Sequence, residues 1–420
     1  MKTKLFTLSA ICLFNSTGIS AQNVNTQKLE ELQKRTEKLE KVAKAFSKIK
    51  ISGYIQGQFQ YSEKDALTKV GAKNEDKEES YNRLGVRRGH VKFTFEEGIA
   101  SAVFQLDFTE KGIGFKDAYL NLKDPWTKSN ALRAGIFDRP FGYEISYSSS
   151  RRESPERSTV FQTLFPEERD LGAMLILQPQ KESPLNFIKL EAGLFAGNGI
   201  KQETDNRKDF IGHISATNKI GTNFDYGLGF SYYNGGVYQS SETVYKMKGN
   251  GFEVDNNESN KGEFAKREYF GIDGRIGYKS SIGQTQLRAE YLFGQQPGIA
   301  GSSKSPNSSS LPASPANTYI RDFNGGYVML IQSLGKLPVL AVLKYDWYDP
   351  NTDVSGNDLG LNGTSKTDRS QNTFGLGALW DATKDVRLQA YYEFNNFEES
   401  NNINDDIKAN LFTLRLQYKF

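Results

Sequence analysis

From about residue 50 onward, apolar and polar residues alternate with a period of two. In the last run Phe412, Leu414, Leu416, Tyr418 and Phe420 share one face and Thr413, Arg415, Gln417 and Lys419 the other. Val386, Leu388, Ala390, Tyr392 and Phe394 oppose Arg387, Gln389, Tyr391 and Glu393; Leu287, Ala289, Tyr291 and Phe293 oppose Gln286, Arg288 and Glu290. This is the pattern of a strand with two different environments on its faces. Sixteen such runs are predicted, over 50–62, 82–97, 99–109, 112–124, 130–137, 168–179, 186–197, 209–220, 223–235, 267–279, 283–295, 322–335, 338–349, 370–381, 384–397 and 408–420. Residues 22–48 differ: they lack Gly and Pro, and Leu29, Leu32, Thr36, Leu39, Ala43 and Phe46 repeat at spacings of three and four. That is a heptad seam, predicting a helix that joins protomers as a short coiled coil or folds against its own chain.

The connections alternate in length. Short turns fall at Glu97-Gly98, Ile220-Gly221-Thr222, Ser280-Ser281-Ile282, Gly335-Lys336-Leu337 and Ala382-Thr383; long polar ones occupy 63–81, 138–167, 198–208, 236–266, 296–321, 350–369 and 398–407. Long loops on one side, apart from the short turn near Glu110-Lys111, short turns on the other and an even strand count predict an all-β transmembrane barrel of 16 antiparallel strands, of the bacterial outer-membrane type. Sixteen strands enclose an interior too wide for side chains to fill, so it is expected to hold water while the apolar stripe meets lipid. Trp126, Tyr278, Trp380, Tyr418 and Phe420 then form an interfacial aromatic girdle.

Composition narrows the class. A mean hydropathy of −0.59, with no long apolar run beyond the first residues, excludes a helical membrane protein. One cysteine and two histidines leave little for disulfides, metal or cofactor chemistry. A net charge of +3 gives no case for nucleic acid. Lys2 and Lys4, an apolar run from Leu5 to Phe14, and Gly18-Ile19-Ser20-Ala21 read as a signal peptide cut after Ala21. The expected organisation is therefore 1–21 signal peptide, 22–48 periplasmic helix and 49–420 barrel.

Several stretches resemble the phosphate-selective porin O and P family of Gram-negative outer membranes. They are Arg87-Arg88-Gly89-His90-Val91, Gly114-Phe115-Lys116-Asp117-Ala118-Tyr119-Leu120, Leu132-Arg133-Ala134-Gly135, Arg139-Pro140-Phe141-Gly142 with Glu144, Ser148-Ser149, Glu156-Arg157-Ser158, Arg169-Asp170-Leu171-Gly172 and the terminal Leu416-Gln417-Tyr418-Lys419-Phe420. The resemblance covers about 84–175 and the C-terminus; 180–405 match by strand rhythm. It implies a trimeric channel with the third outer loop folded inward, a coiled coil ahead of the barrel, and Tyr418 and Phe420 as a barrel-assembly signal. It also implies phosphate as solute and lipopolysaccharide as a neighbour in the outer membrane.

Charged groups on the lumen wall set selectivity in such a channel. Strand parity puts Arg88, His90, Lys92, Arg133, Lys344, Arg387 and Arg415 on the polar face, and loop 138–167 adds Arg139, Arg151, Arg152 and Arg157. Guanidinium forks suit anionic oxygens. The same loop carries Asp138, Glu144, Glu153, Glu156 and Glu167, so its arginines either line an anion-attracting ring or tie the loop down. Asp170, Glu191, Asp225, Asp273, Glu290, Asp346 and Glu393 alternate with the wall cations, as in a general non-selective porin. Two other readings stand beside passive diffusion. One is a scaffold or adhesin barrel with an occluded pore. The other, catalysis by His213 and Ser215, is discounted because they fall on the polar face, away from lipid. Asp/Asn clusters at 353–358 and 401–406 are ordinary solvated loops or Ca²⁺ holders between protomers.

Overall fold

The computed structural model describes residues 19–74, 79–306 and 316–420. The signal peptide expected at 1–21 falls almost wholly outside them. Helix α1 spans Ile19–Phe46. Along it Leu29, Leu32, Leu39, Val42 and Phe46 are all exposed, and Arg35 pairs with Glu31 one turn earlier at 2.7 Å.

Strands β1 (Ile49–Glu63), β2 (Ser80–Glu97), β3 (Ala100–Thr109), β4 (Gly112–Lys123) and β5 (Ala131–Asp138) are followed by a short helix α2 (Thr159–Leu164). Then come β6 (Arg169–Leu177), β7 (Ile188–Phe195), β8 (Asp209–Ile220) and β9 (Phe224–Tyr238). A loop hairpin follows, β10 (Thr243–Lys248) with β11 (Gly251–Asn256). The chain ends with β12 (Phe264–Ser280), β13 (Gly283–Gly298), β14 (Thr318–Ser333), β15 (Val339–Asp349), β16 (Gln371–Asp381), β17 (Val386–Phe397) and β18 (Leu411–Lys419). The hairpin lies off the wall, where β10 meets the end of β14 at Val244–Thr318. The other sixteen strands pair antiparallel, each with its neighbour, and β1 closes on β18 from Tyr54–Lys419 to Ser62–Leu411. All sixteen predicted runs are found, with ends shifted by a few residues. The hairpin and α2 were not predicted.

Parity decides the two faces. Leu287, Tyr291 and Phe293 of β13, Leu343 and Tyr345 of β15 and Phe374, Leu376 and Trp380 of β16 are exposed on the outside. In water such a surface would be an aggregation hazard; against acyl chains it is favourable. The predicted girdle stands at the short-turn end, with Trp126 the most exposed at 88%. A second row, not predicted, circles nearer the long loops. There Tyr232 packs on Phe270, Phe270 stacks on Phe293 at 5.4 Å, and Tyr291 stacks on Trp347 at 6.2 Å. Phe374 meets Phe394 farther round. From Phe270 to Tyr278 along tilted β12 the two rows stand roughly 20 Å apart, close to the apolar band of outer-membrane barrels.

The interior corrects one expectation. It is not simply an open water column. Phe195, Ile211, Tyr233, Tyr269, Leu292, Phe323, Tyr327, Met329, Val342 and Tyr391 face inward and are buried. They pack on Phe141, Ile145, Val160, Phe161, Leu164 and Phe165 of the loop between β5 and β6. The expectation failed because it counted wall side chains alone; a folded loop also occupies the bore. Toward the short-turn end the wall is polar and half-exposed, with Lys92, Thr94, Arg133, Lys189, Glu191, Ser215, Arg275 and Gln286 pointing inward.

This sidedness predicts opposite responses to charge. Leu343→Arg on the outside should cost roughly 2–4 kcal/mol in a urea titration of the vesicle-inserted barrel. Ser215→Arg inside should stay within about 0.5 kcal/mol of the parent. Equal costs would refute the assignment of faces.

Candidate pore constriction

Loop 139–168 leaves β5 and returns to β6 at the Asp138–Arg169 pair. Between these points it runs into the barrel, as expected of the third outer loop. Gly142 permits the first bend: its φ is +63°, and a Cβ there would lie 2.3 Å from the Glu290 carboxylate. Two wall glycines leave room for the loop. A Cβ on Gly271 would meet the Phe141 ring at 2.7 Å, and one on Gly325 would meet Val160 at 2.8 Å. Phe161 and Phe165, fully buried, then anchor α2, each contributing about 1.5–3 kcal/mol of apolar burial. The first turn of α2 has no side-chain cap of its own. Instead Glu144 accepts from the Ser158 N–H at 2.9 Å and Asp346 from the Thr159 N–H at 3.3 Å.

The wall beneath the loop carries like charges directly opposite one another. On β12 and β13, Asp273 faces Glu290 and Arg275 faces Arg288. Such cross-strand pairs repel. The loop answers both. Glu153 forks onto Arg288 at 2.8 and 2.9 Å, and the rings of Tyr143 and Tyr147 lie under that guanidinium. The Tyr143 and Glu144 N–H groups donate to Glu290 at 2.8 and 2.7 Å, while His213 holds Asp273 at 2.9 Å.

Glu156 forms the other anchor. Its carboxylate takes Arg87 at 2.8 Å, Arg88 at 2.7 Å and Arg415 at 2.9 Å. Burial alone would raise its pKa; the three guanidiniums overcome that and hold it well below the usual carboxylate range. Around these anchors Tyr54 bonds Ser149, Gln56 donates to the Ser149 carbonyl at 3.1 Å, and Gln417 donates to the Ser150 carbonyl at 3.1 Å. Hydrogen bonds and ion pairs of the loop thus reach β1, β2, β6, β9, β13 and β15–β18.

The predicted site residues divide clearly. Arg139 pairs with Asp170 at 3.1 Å, Arg157 with Glu168 and the Glu144 and Ile145 carbonyls, Lys344 with Glu144 at 3.2 Å, and Arg415 and Arg88 with Glu156. Arg387 pairs with Asp381 at 2.6 Å and reaches the Arg151 carbonyl. His90 is buried, accepting at Nδ1 from Tyr54 and Gln105, with Asp107 3.4 Å from Nε2. These groups tie structure down. Lys92, Arg133, Arg151 and Arg152 have no carboxylate within 4.0 Å among the described residues. Arg133 lies inward over the Tyr119 ring at 4.6 Å, and Arg151 is exposed. Arg152 is 3% exposed, donates only from Nη2 to the Tyr147 carbonyl at 3.4 Å, and leaves Nε and Nη1 without a partner. Burial, then Arg157 and Arg88 beside it, pushes its pKa down to about 9. A negative charge close by would relieve both penalties. Tyr418 and Phe420 lie on the outer face, where Phe420 exchanges backbone hydrogen bonds with Gly53 at 3.0 Å.

Sequence reasoning missed Arg87 and the role of Glu156 as a shared partner. The alternating row Gln56, Gln58 and Gln60 is legible as one face of the first strand but does not stand among the expected site residues, although three glutamines at i, i+2 and i+4 are themselves a signal. Among the described residues no group of three or more His, Cys, Asp or Glu side chains is placed to hold a metal ion. The clusters at 353–358 and 401–406 meet one another through Asn357 and Asn401–Asn402 hydrogen bonds.

Comparison with solved structures places this geometry. The chain is similar in fold to OprB of Pseudomonas putida, with TM-score 0.55 and 11% identity over 92% of this chain and 96% of that one. It is similar to the outer membrane channel DcaP of Acinetobacter baumannii, with TM-score 0.54 and 14% identity over 89% and 97%. It is also similar to Salmonella typhi OmpF, with TM-score 0.53 and 11% identity over 89% and 97%. The fold is that of a sixteen-stranded porin barrel. No family model and no curated protein matches the chain in sequence, so the resemblance to the phosphate-selective family is not matched at that level.

The loop's hold on the wall is testable at one pair. Glu153→Gln leaves Arg275 and Arg288 facing each other uncompensated, and breaking a buried pair this way costs about 3–5 kcal/mol. In planar bilayers the variant should show larger and noisier single-channel steps. Steps identical to the parent's would remove Glu153 from the latch.

Proposed function

We propose that the chain is a Gram-negative outer-membrane porin that passes small hydrophilic solutes by passive diffusion, preferring anions. The observation that carries this is the vestibule below the loop: half-exposed polar side chains inside a closed barrel whose outside is apolar. A wall of that kind borders water. Loop 139–168 is the size filter. Fixed charge is the second filter, and its sign is positive. Lys92, Arg133, Arg151 and Arg152 lack carboxylate partners, whereas most inward acids are engaged: Asp170 by Arg139, Glu191 by Lys189, Asp273 by His213, and Asp346 by Lys344 and the Thr159 N–H. The latch and ring readings of the loop arginines thus apply to different residues. Arg139 and Arg157 latch; exposed Arg151 faces the solute, and Arg152, buried without a carboxylate partner, adds uncompensated positive charge beneath the surface.

Phosphate is the solute that the stretches over 84–175 favour, through their resemblance to phosphate-selective porins. The exposed seam of Leu29, Leu32, Leu39 and Phe46 supports a periplasmic coiled coil between protomers, and with it a trimer. The terminal Tyr418 and Phe420, on the outer face of the closing strand, serve as the assembly signal. A second reading, an occluded scaffold, draws on the number of wall strands the loop engages.

Single-channel recording with a KCl gradient separates these. An anion-selective porin gives open steps and a reversal potential on the anion side, shifted further by added phosphate. Arg151→Ala with Arg152→Ala should move that potential toward zero without loss of folded barrel. Absence of steps would favour the scaffold; cation preference would end the anion reading.

A further inference from the structure

Above the inserted loop, at the long-loop end of the bore, two opposite charges stand without partners. After β1 the chain turns back over the mouth of the barrel. Val70 is fully buried there, the Tyr81 hydroxyl donates to the Ala66 carbonyl at 2.5 Å, and the Lys69 N–H donates to the inward Gln60 side chain at 2.6 Å. Lys69 is half-buried, and among the described residues its ammonium has no hydrogen bond and no carboxylate within 4.0 Å. Burial pushes its pKa down; Glu156 and Glu393 pull it up, and Arg87 and Lys304 push it down, so these are the charges it faces. Glu393 of β17 is half-buried on the inward face and has no ion pair or hydrogen bond among the described residues either. The other charges at this level are engaged, Glu156 by Arg87, Arg88 and Arg415 and Asp346 by Lys344, except for exposed Lys304. Glu393 pairs in register with Leu411 of β18, and Leu411 with Ser62 of β1. Two strand spacings, about 10 Å, thus separate the Glu393 backbone from the strand on which Lys69 sits. The wall between them is uncharged: Leu411 clusters with Ala66, and Thr413 accepts from Gln60 at 3.0 Å.

A half-buried charge without a counter-charge is costly, and a solute that supplies the counter-charge gains what the site lacks. A multivalent anion gains at Lys69 and is repelled by Glu393. A simple cation gains at Glu393 and is repelled by Lys69 and Lys304. A molecule with an ammonium and a carboxylate on one short frame satisfies both sides at once. We infer that this mouth binds small zwitterions of the free amino-acid class, carboxylate toward Lys69 and ammonium on Glu393. Lys304 adds a second positive charge on the carboxylate side. The inference rests on the reading of the bore as a solute path and deepens it by naming a solute class taken up ahead of the positive constriction.

The test uses the folded chain in detergent, with saturation-transfer NMR as the binding readout, which needs no open channel. Alanine is titrated against propionate, which lacks its ammonium, and ethylamine, which lacks its carboxylate. Alanine should saturate at a concentration at least about tenfold below either analogue, equivalent to 1.4 kcal/mol. Each variant should abolish one half of that preference. Glu393→Gln should bring alanine level with propionate, and Lys69→Met should bring it level with ethylamine. Heat-dependent gel mobility checks that both variants are folded, and channel steps in bilayers test the porin reading separately. Equal affinity of the parent for all three solutes, or an unchanged alanine preference in either folded variant, would overturn the proposal.

Discussion

A sheet can cross hydrocarbon only if it has no free edge, because each unpaired backbone group there costs several kcal/mol. The pairing of β1 with β18 meets that condition, with nine residue pairs from Tyr54–Lys419 to Ser62–Leu411. Closure fixes the rest. Once the wall is continuous, every second side chain faces lipid and every other one faces the bore. The sequence must therefore alternate along all sixteen strands, and the connections must divide into two sets at the two rims.

Closure also creates a problem that the loop between β5 and β6 solves. A bore of this width leaves inward apolar groups such as Tyr269, Leu292 and Tyr327 in water, and sets Arg275 against Arg288 and Asp273 against Glu290. The inserted loop covers the first and compensates the second. Its phenylalanines supply the burial, Glu153 and two backbone N–H groups supply the missing counter-partners, and Glu156 gathers three guanidiniums from two distant strands. The narrowing of the bore is thus a consequence of the same contacts that stabilise the wall. What is left over after this pairing, chiefly Arg151, Arg152, Arg133 and Lys92, is positive charge without a carboxylate partner among the described residues.

The strands were legible because the two-residue period is local and persists for ten residues or more. The inward direction of loop 139–168 was legible only through resemblance. Its six-residue helix has too few residues to show a period, and its burial depends on holes at Gly271 and Gly325, more than a hundred residues away. The hairpin of β10 and β11 was hidden for a similar reason, its six-residue strands standing in a polar loop. The arginines could be named from parity and composition, but their division into latching and free groups could not. That division depends on which carboxylates converge in space: Glu156 meets Arg87, Arg88 and Arg415 across 68 to 259 residues of chain. Leu292 shows the limit of alternation itself. It sits inward between Tyr291 and Phe293, and reads from sequence as one continuous apolar run.

The central claim is that one face of each strand touches acyl chains and the other touches water. Cys12 is the only cysteine in the chain, so single cysteines can be placed along β12 and β13 once Cys12 is removed or replaced. Spin labels at 272, 276, 287 and 291 and at 275 and 286 would then report accessibility to oxygen and to a water-soluble nickel chelate in reconstituted vesicles. The account predicts oxygen access with little chelate access at the first four and chelate access at the last two. Chelate access at all six, or an inverted pattern, would contradict it.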